Sequence, residues 1–234
     1  MVMPEFVPRT FAELAESLRA AENTHATADE VVKFALAELD ADHGGITLIP
    51  RKDVLETVAP SAPVVAQIAD LQNELNEGPC RDSAWNDQTL VSQDLTVEQR
   101  WPRWAPKAAA CGIRSVLAAE LTDVHGGRVG AINLYWENVH SVTREDIAFA
   151  QIAARHAAVA LVSSMNEANL HTALDTRKQI GVAQGILMER YELDLDQAFA
   201  LLRRYSQDYN LKLRDVATIV IDTRELPSGD QPHE

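Results

Sequence analysis

Cysteine is scarce in this 234-residue chain, which contains only Cys80 and Cys111. Two cysteines cannot supply the disulfide framework of a small secreted protein, and in a reducing compartment we expect both to be free, buried thiols. The seven histidines stand at no metal-ligand spacing with the cysteines. We therefore expect no zinc site and no cofactor.

Long uninterrupted apolar runs are also missing. The longest, from Ile147 to Val162, is broken by Gln151, Arg155 and His156, and it is too short and too polar to cross a bilayer. The opening residues carry Glu5 and two prolines instead of a basic segment followed by an apolar one, so no secretion signal is expected. The sequence predicts a cytoplasmic protein without a membrane span.

Positive charge is in short supply, with 21 basic against 35 acidic side chains and a net charge of −14. An evenly acidic surface would repel phosphate and would count against nucleic-acid binding. The charge is uneven, because residues 1–170 hold 24 acidic and 13 basic side chains whereas residues 171–226 hold 9 and 8. The nearly neutral C-terminal part can therefore carry a local basic face.

Proline is absent between Pro106 and Pro227, and glycine is absent between Gly130 and Gly181. Both residues punctuate the first half of the chain, so we expect the architecture to change near residue 143. The change is from a mixture of helices and strands to helices alone.

From Thr143, the predicted N-cap, to about Tyr191 the sequence predicts one long helix with acidic residues in its first turn. Alanines that recur along it permit close helix approach. Its apolar positions keep heptad spacing only in part, so a two-chain coiled coil stays a hypothesis beside packing against the protein's own sheet.

Before residue 143 the periodicity predicts an α+β domain. Helices are expected from Thr10, over Thr27–Leu39 with Thr27 as N-cap, and over Val64–Leu75. Short runs rich in β-branched residues predict five strands, with a hairpin between the first two and another between the last two. The predicted strands are Gly45–Ile49, Val54–Ala59, Thr89–Val91, Ser115–Leu121 and Val129–Tyr135.

A short motif in this domain, EGPCRDSA at residues 77–84, resembles the EGPCRDA-like stretch of GAF domains that precede ANTAR modules. With the order of the elements, it makes residues 10–165 similar to a GAF domain, a sensor fold with a central antiparallel sheet and helices. The resemblance implies an unidentified small-molecule ligand, with Cys80, Arg81 and Asp82 as candidate contacts. The alternative is structural, with Pro79 starting a helix and Arg81 pairing with an acid. The residue set of GAF domains that bind cyclic nucleotides is not traceable, so no cyclic nucleotide is expected.

Three helical periods follow in the C-terminal part, and they predict three short helices around one core. Asp194 with Gln197 forms a capping box for the second helix, and Asn210 is the predicted N-cap of the third. The predicted apolar faces consist of Ile180, Ala183, Ile186, Leu187 and Tyr191, then Ala198, Phe199, Leu202 and Tyr205, then Leu213, Val216, Ala217 and Val220.

Three sequence blocks here, at residues 180–190, 196–206 and 210–217, resemble an ANTAR domain in content, order and spacing. The resemblance covers residues 166–226, with the long helix shared across the boundary, and leaves 227–234 as a flexible tail. It implies an all-α, non-enzymatic module that binds RNA and acts by transcription antitermination. In that family a pair of modules, usually in a homodimer, recognises two adjacent stem-loops of a nascent transcript and prevents formation of a terminator hairpin.

RNA recognition asks for cationic donors to phosphate and for polar or planar groups that reach unstacked loop bases. The candidates are Lys178, Gln184, Arg203, Arg204, Ser206, Asn210, Lys212 and Arg214. The last six should converge at the corner between the second and third helices, where the amides of the third helix add positive potential. The family usually has Lys where Gln184 stands, so that contact would lack its ionic component.

Two other functions compete with RNA binding. Some GAF domains reduce free methionine sulfoxide with cysteines, but that chemistry needs a nucleophilic thiolate and a resolving partner, and no cysteine cluster supplies both. Alternatively, the C-terminal helices form a protein-docking module, a reading that the weak basicity of the segment favours.

Overall fold

The computed structural model describes residues 6–51, 54–86 and 88–226, with side chains described from Phe11 onward. The predicted tail, 227–234, lies outside the described residues. The chain divides into two compact units that meet between Asn166 and Glu167. One 48-residue helix, α6 (Arg144–Tyr191), contributes to both units.

The first unit is built on a five-stranded antiparallel sheet in the order β2-β1-β5-β4-β3. The expected α+β class is confirmed, and each predicted strand lies within two residues of the observed bounds. The strands are β1 (His43–Arg51), β2 (Val54–Val58), β3 (Leu90–Ser92), β4 (Ser115–Thr122) and β5 (Arg128–Trp136).

Helices cover both faces of this sheet because successive side chains along a strand point to opposite sides. On β5, Ile132 and Leu134 belong to the apolar core shared with the helices α2 and α6, whereas Tyr135 belongs to the core shared with α3, α4 and α5. The first-unit helices are α1 (Phe6–Ala20), α2 (Thr24–Leu39), α3 (Pro63–Leu75), α4 (Pro79–Asn86) and α5 (Ala105–Ala110).

The predicted N-cap of α2 is wrong. Asn23 caps the helix, with its Oδ1 accepting the Ala26 N–H at 2.9 Å, while Thr27 lies buried inside the helix and donates its hydroxyl to the Asn23 carbonyl. Both residue types cap helices well, but the extended backbone of Asn23 places it first.

The long helix α6 begins as predicted. Thr143 Oγ1 accepts the Asp146 N–H at 3.1 Å, and Asp146 Oδ2 accepts the Thr143 N–H at 2.8 Å, which completes a capping box. By length and composition α6 could cross a membrane, since its most apolar window has a mean hydropathy of 1.3. A third of that window is buried, and alanines on its inward side pack in the core of the first unit, so that side belongs to the protein core. The buried alanines are Ala150, Ala153, Ala154, Ala157 and Ala158.

The second unit is all-helical, as predicted. It combines the end of α6 with α7 (Leu195–Asp208) and α8 (Leu213–Thr223). The expected capping box at the start of α7 is present, with Asp194 Oδ1 accepting the Gln197 N–H at 2.7 Å. The shared core consists of Ala183, Leu187, Ala198, Leu202, Val216, Ala217 and Val220.

Three details of this unit differ from the sequence-based prediction. Tyr191 and Phe199 are 44% and 38% exposed, because Tyr191 ends its helix and Phe199 is turned by about 100° from the buried Ala198. The N-cap of α8 is Lys212, and Asn210 instead adopts a left-handed backbone with φ of 52°. Asn tolerates that conformation, which turns the chain between α7 and α8.

Candidate RNA interface

Six of the eight predicted RNA contacts lie in or next to the turn between α7 and α8 in the sequence, and we call this segment the α7–α8 corner. The Leu211 N–H donates to the Ser206 carbonyl at 3.0 Å, and the Ser206 hydroxyl donates to the Leu211 carbonyl at 2.7 Å. Ser206 and Asn210 therefore shape the corner, and the Ser206 hydroxyl already donates its hydrogen bond within the chain.

The cations of this corner differ in whether they form ion pairs within the chain. Arg203 and Lys212 are exposed and form no ion pair with any described residue. Arg204 Nε lies 3.9 Å from a carboxylate oxygen of Asp208, and Arg214 Nε lies 3.3 Å from one of Asp215. Ion pairs this exposed contribute little, so a phosphate can compete for both guanidinium groups.

The two predicted contacts on α6 lie apart from the corner in sequence. The Gln184 amide donates to the Leu195 carbonyl at 3.1 Å and so ties α6 to the first turn of α7. Lys178 is exposed, and within the described chain it has no ion-pair partner. Its neighbour Gln179 shares a polar cleft of about 320 Å³ with Arg214, which brings this part of α6 beside the start of α8.

A pair of tyrosines at the end of α7 was missed from the sequence. The rings of Tyr205 and Tyr209 stack with centroids 5.7 Å apart and planes 17° from parallel, and the guanidinium of Arg204 lies 5.6 Å from the Tyr205 ring centroid. Aromatic residues four positions apart on a helix are neighbours. That spacing was the signal that could have revealed the pair.

In the first unit, Cys80 is a buried thiol within a polar network. Its Sγ accepts the Gln72 amide at 2.7 Å and lies 3.1 Å from the Tyr135 hydroxyl. Burial raises the pKa of Cys80 to about 11. The thiol is therefore neutral near pH 7 and does not supply the thiolate that a cysteine-dependent sulfoxide reductase requires.

The rest of the EGPCRD motif ties α4 to the loop that carries Trp101 and Trp104. Asp82 accepts the Trp101 indole N–H at 2.8 Å. Glu77 accepts the backbone N–H groups of Arg103 and Trp104 at 2.7 and 2.9 Å. Of the three predicted ligand contacts, Cys80 and Asp82 thus have partners within the chain, whereas Arg81 is half-buried with no hydrogen bond to a described residue.

The family comparisons match both units. A model of the GAF domain matches residues 21–162, and a model of the ANTAR domain matches residues 168–221. This chain belongs to the GAF-ANTAR family. It is an RNA-binding regulator of transcription with a GAF sensor domain, a combination typical of non-enzymatic proteins.

Solved structures share the GAF fold. The GAF domain of a phosphoenolpyruvate-protein phosphotransferase from Acinetobacter matches with a TM-score of 0.55 and 11% identity over 71% of this chain and 99% of that one. The corresponding domain from Coxiella burnetii gives 0.55 and 17% over 70% and 95%. The bacteriophytochrome RpBphP3 from R. palustris gives 0.57 and 10% over 86% and 48%. These identities show the fold alone, and a comparison with curated proteins found no match.

Two buried polar atoms of the GAF domain, Trp85 Nε1 and Asn133 Oδ1, lack a hydrogen-bond partner among the described residues. The Asn133 amide nitrogen donates to Thr47 Oγ1 at 3.1 Å. No group of His, Cys, Asp or Glu in the described ranges is arranged to hold a metal ion.

Proposed function

We propose that this GAF-ANTAR protein is a cytoplasmic, signal-responsive regulator that acts by transcription antitermination. The ANTAR modules of a homodimer bind two adjacent stem-loops of a nascent transcript and prevent a terminator hairpin from forming. The observation that carries the proposal is the pair of exposed cations, Arg203 and Lys212, which have no ion-pair partner among the described residues and lie at the α7–α8 corner of a module whose family binds RNA.

The start of α8 strengthens the corner as an anion site. No side chain caps this helix, and the N–H groups of Leu213 and Arg214 have no acceptor among the described residues. Free amides and the helix dipole favour a negative group there. Lys212, the residue directly before this helix, contributes a positive charge to the same segment of the chain.

The homodimer is supported by an apolar stripe on α6, defined by Ile152, Val159, Leu170 and Leu174. These side chains are 41%, 52%, 61% and 56% exposed. Their spacings of 7, 11 and 4 residues return to one side of a helix. A second copy of the chain would cover this stripe by packing helix against helix.

The RNA interface is tested by removing its two free cations. We expect the Arg203→Ala/Lys212→Ala variant to bind a double-stem-loop RNA about 100-fold more weakly, since each lost charge-assisted contact costs roughly a factor of ten. The slope of log K against log salt should flatten by about 1.4 to 1.8. Gel-shift or filter-binding titrations at several salt concentrations measure both quantities.

The matched control is Lys107→Ala/Arg144→Ala, which removes the same charge from exposed positions of the GAF domain. This variant should bind like wild type. Equal weakening by the two variants would mean that only net charge matters, and unchanged binding by the Arg203→Ala/Lys212→Ala protein would refute the corner as the RNA interface.

A second candidate function, docking of a partner protein, is favoured by two apolar side chains on α7. Leu195 and Phe199 are one turn apart and 57% and 38% exposed. If docking is the function, Leu195→Ser/Phe199→Ser abolishes regulation in cells while RNA affinity stays unchanged. If RNA binding is the function, the variant without Arg203 and Lys212 loses regulation instead.

A further inference from the structure

We propose that Tyr209 is a base-stacking platform, on which an unpaired loop base of the bound RNA lies. The inference rests on the RNA binding proposed above and adds to it a contact that reads a base instead of a phosphate. The stacked rings of Tyr205 and Tyr209 carry the inference.

The two tyrosines have different environments. Tyr205 is half-buried and packs against the apolar core of the ANTAR module. Tyr209 is 36% exposed, and its hydroxyl has no hydrogen-bond partner in the described part of the chain. Tyr205 thus supports one face of the Tyr209 ring while part of the ring remains open to solvent.

The backbone holds this ring in place. Tyr209 is the C-cap of α7, and its N–H donates to the Tyr205 carbonyl at 3.1 Å. The next residue, Asn210, turns the chain with φ of 52° toward α8. A ring fixed in this way loses little conformational entropy when a base stacks on it.

The neighbouring charges suit a nucleotide rather than an apolar peptide. Lys212 follows three residues later, and Arg204 lies against the other tyrosine of the pair. The carboxylate nearest in sequence, Asp208, forms an exposed ion pair with Arg204 at 3.9 Å, in which a phosphate can take the place of the carboxylate. A loop nucleotide with its base on Tyr209 would therefore have cations within reach for its phosphate.

This arrangement predicts which part of an RNA occupies the corner. Bases within a stem are stacked on one another and present no free face, whereas splayed loop bases stack on aromatic side chains. Cations alone bind stem and loop phosphates alike. Tyr209 therefore directs the corner to a loop.

The probe for the test is a stem-loop RNA selected by the full-length protein from a pool with randomised loops. We expect Tyr209→Ala and Tyr209→Leu to weaken binding about five- to 100-fold, because both remove the aromatic face. Tyr209→Phe should bind like wild type. The salt slope should stay unchanged in all three variants, since no phosphate contact is lost.

A loop scan with abasic nucleotides locates the base. One abasic position should weaken wild-type binding by the same factor as Tyr209→Ala and should weaken the Tyr209→Ala protein no further. Tyr209→Leu keeps an apolar side chain against Tyr205, and thermal melting checks that each variant folds.

The outcomes separate this inference from the proposed function. A pool that yields no RNA overturns RNA binding and the stacking contact with it. If Arg203→Ala/Lys212→Ala weakens RNA binding but Tyr209→Leu leaves it unchanged, the stacking contact alone is overturned. A flattened salt slope in Tyr209→Leu also overturns it, because the loss would then be ionic.

Discussion

Each polar side chain of the EGPCRD motif except Arg81 has a structural task in the GAF domain. Glu77 holds the loop of Arg103 and Trp104, Cys80 joins a buried hydrogen-bond network, and Asp82 holds the Trp101 indole. A short motif that identifies a family can thus consist mainly of residues that stabilise its fold. A ligand contact within this motif is proposed for Arg81 alone.

Substitutions of Asp82 and of Arg81 should differ clearly in their effect on the free energy of unfolding. Asp82→Ala leaves the indole N–H of the buried Trp101 without its charged acceptor, so we expect a loss of about 1.5–3 kcal/mol in the free energy of unfolding. Arg81→Ala should change stability by less than about 0.5 kcal/mol. Urea denaturation of both variants measures these changes. Equal losses in the free energy of unfolding would contradict a structural role for Asp82 alone.

The Cys80 thiol should make the GAF domain sensitive to alkaline pH. Its pKa is raised from 9.0 to about 11 by burial, so its stabilising contribution is complete below pH 9 and is lost as the pH rises toward 11. The pKa of Tyr135 is also raised by burial, and it acts in the same direction. In Cys80→Ser the decline in stability between pH 9 and 11 should be shallower than in wild type, as urea titrations would show.

At the scale of elements, periodicity predicted most of the fold. Short runs rich in β-branched residues predicted the five strands, and the absence of proline and glycine predicted α6. The pattern missed α5, Ala105–Ala110, because six residues with a proline among them carry no helical period. The caps of α2 and α8 were misassigned because residue type alone does not specify the backbone angles at Asn23 and Asn210 that decide them.

The candidate site was predictable only where its members are close in sequence. Arg203, Arg204 and Lys212 fall at one corner because a short turn joins their helices. The hydrogen bond from Gln184 to Leu195 depends on how α6 and α7 pack, which residue spacing does not specify. The pairing of Arg204 with Asp208 depends on rotamers in the same way.

Two glycines weaken the last turns of α6. A Cβ built at Gly181 or Gly185 meets nothing within 4 Å, so alanine fits at both positions. We expect Gly181→Ala and Gly185→Ala each to raise the free energy of unfolding by about 0.5–1 kcal/mol.

The contrasting control is Gly78→Ala. Gly78 has φ of 142°, and a Cβ at this position would clash with the Gln72 side chain, so this change should destabilise the protein. Urea titrations of the three variants measure all these effects, and a loss of stability in either α6 variant would mean that the glycine serves a purpose other than helix formation.

For the whole molecule, acidity is concentrated away from the ANTAR module. The first 170 residues carry a net charge of −11, whereas residues 171–226 carry −1. Non-specific affinity for phosphate is therefore weak, and binding must come from local contacts at the α7–α8 corner. Such a protein should choose among RNAs more by loop identity than by charge.

The proposed homodimer is tested through the α6 stripe. Val159→Glu/Leu170→Glu would place carboxylates in the apolar interface and should weaken dimerisation about 100-fold or more. Val97→Glu, at a loop residue that is 73% exposed, is the control and should leave the dimer intact. Sedimentation at micromolar concentration measures the effect, and wild type that sediments as a monomer there would disprove the dimer.

The five buried alanines of α6 also constrain how this sequence can evolve. Each is at most 1% exposed and packs within the first unit, so a larger side chain at any of them would overfill the core. Drift among relatives should therefore be confined to the outward side of the helix. These five positions should admit little besides alanine, glycine and serine, so they should identify relatives independently of the EGPCRD motif.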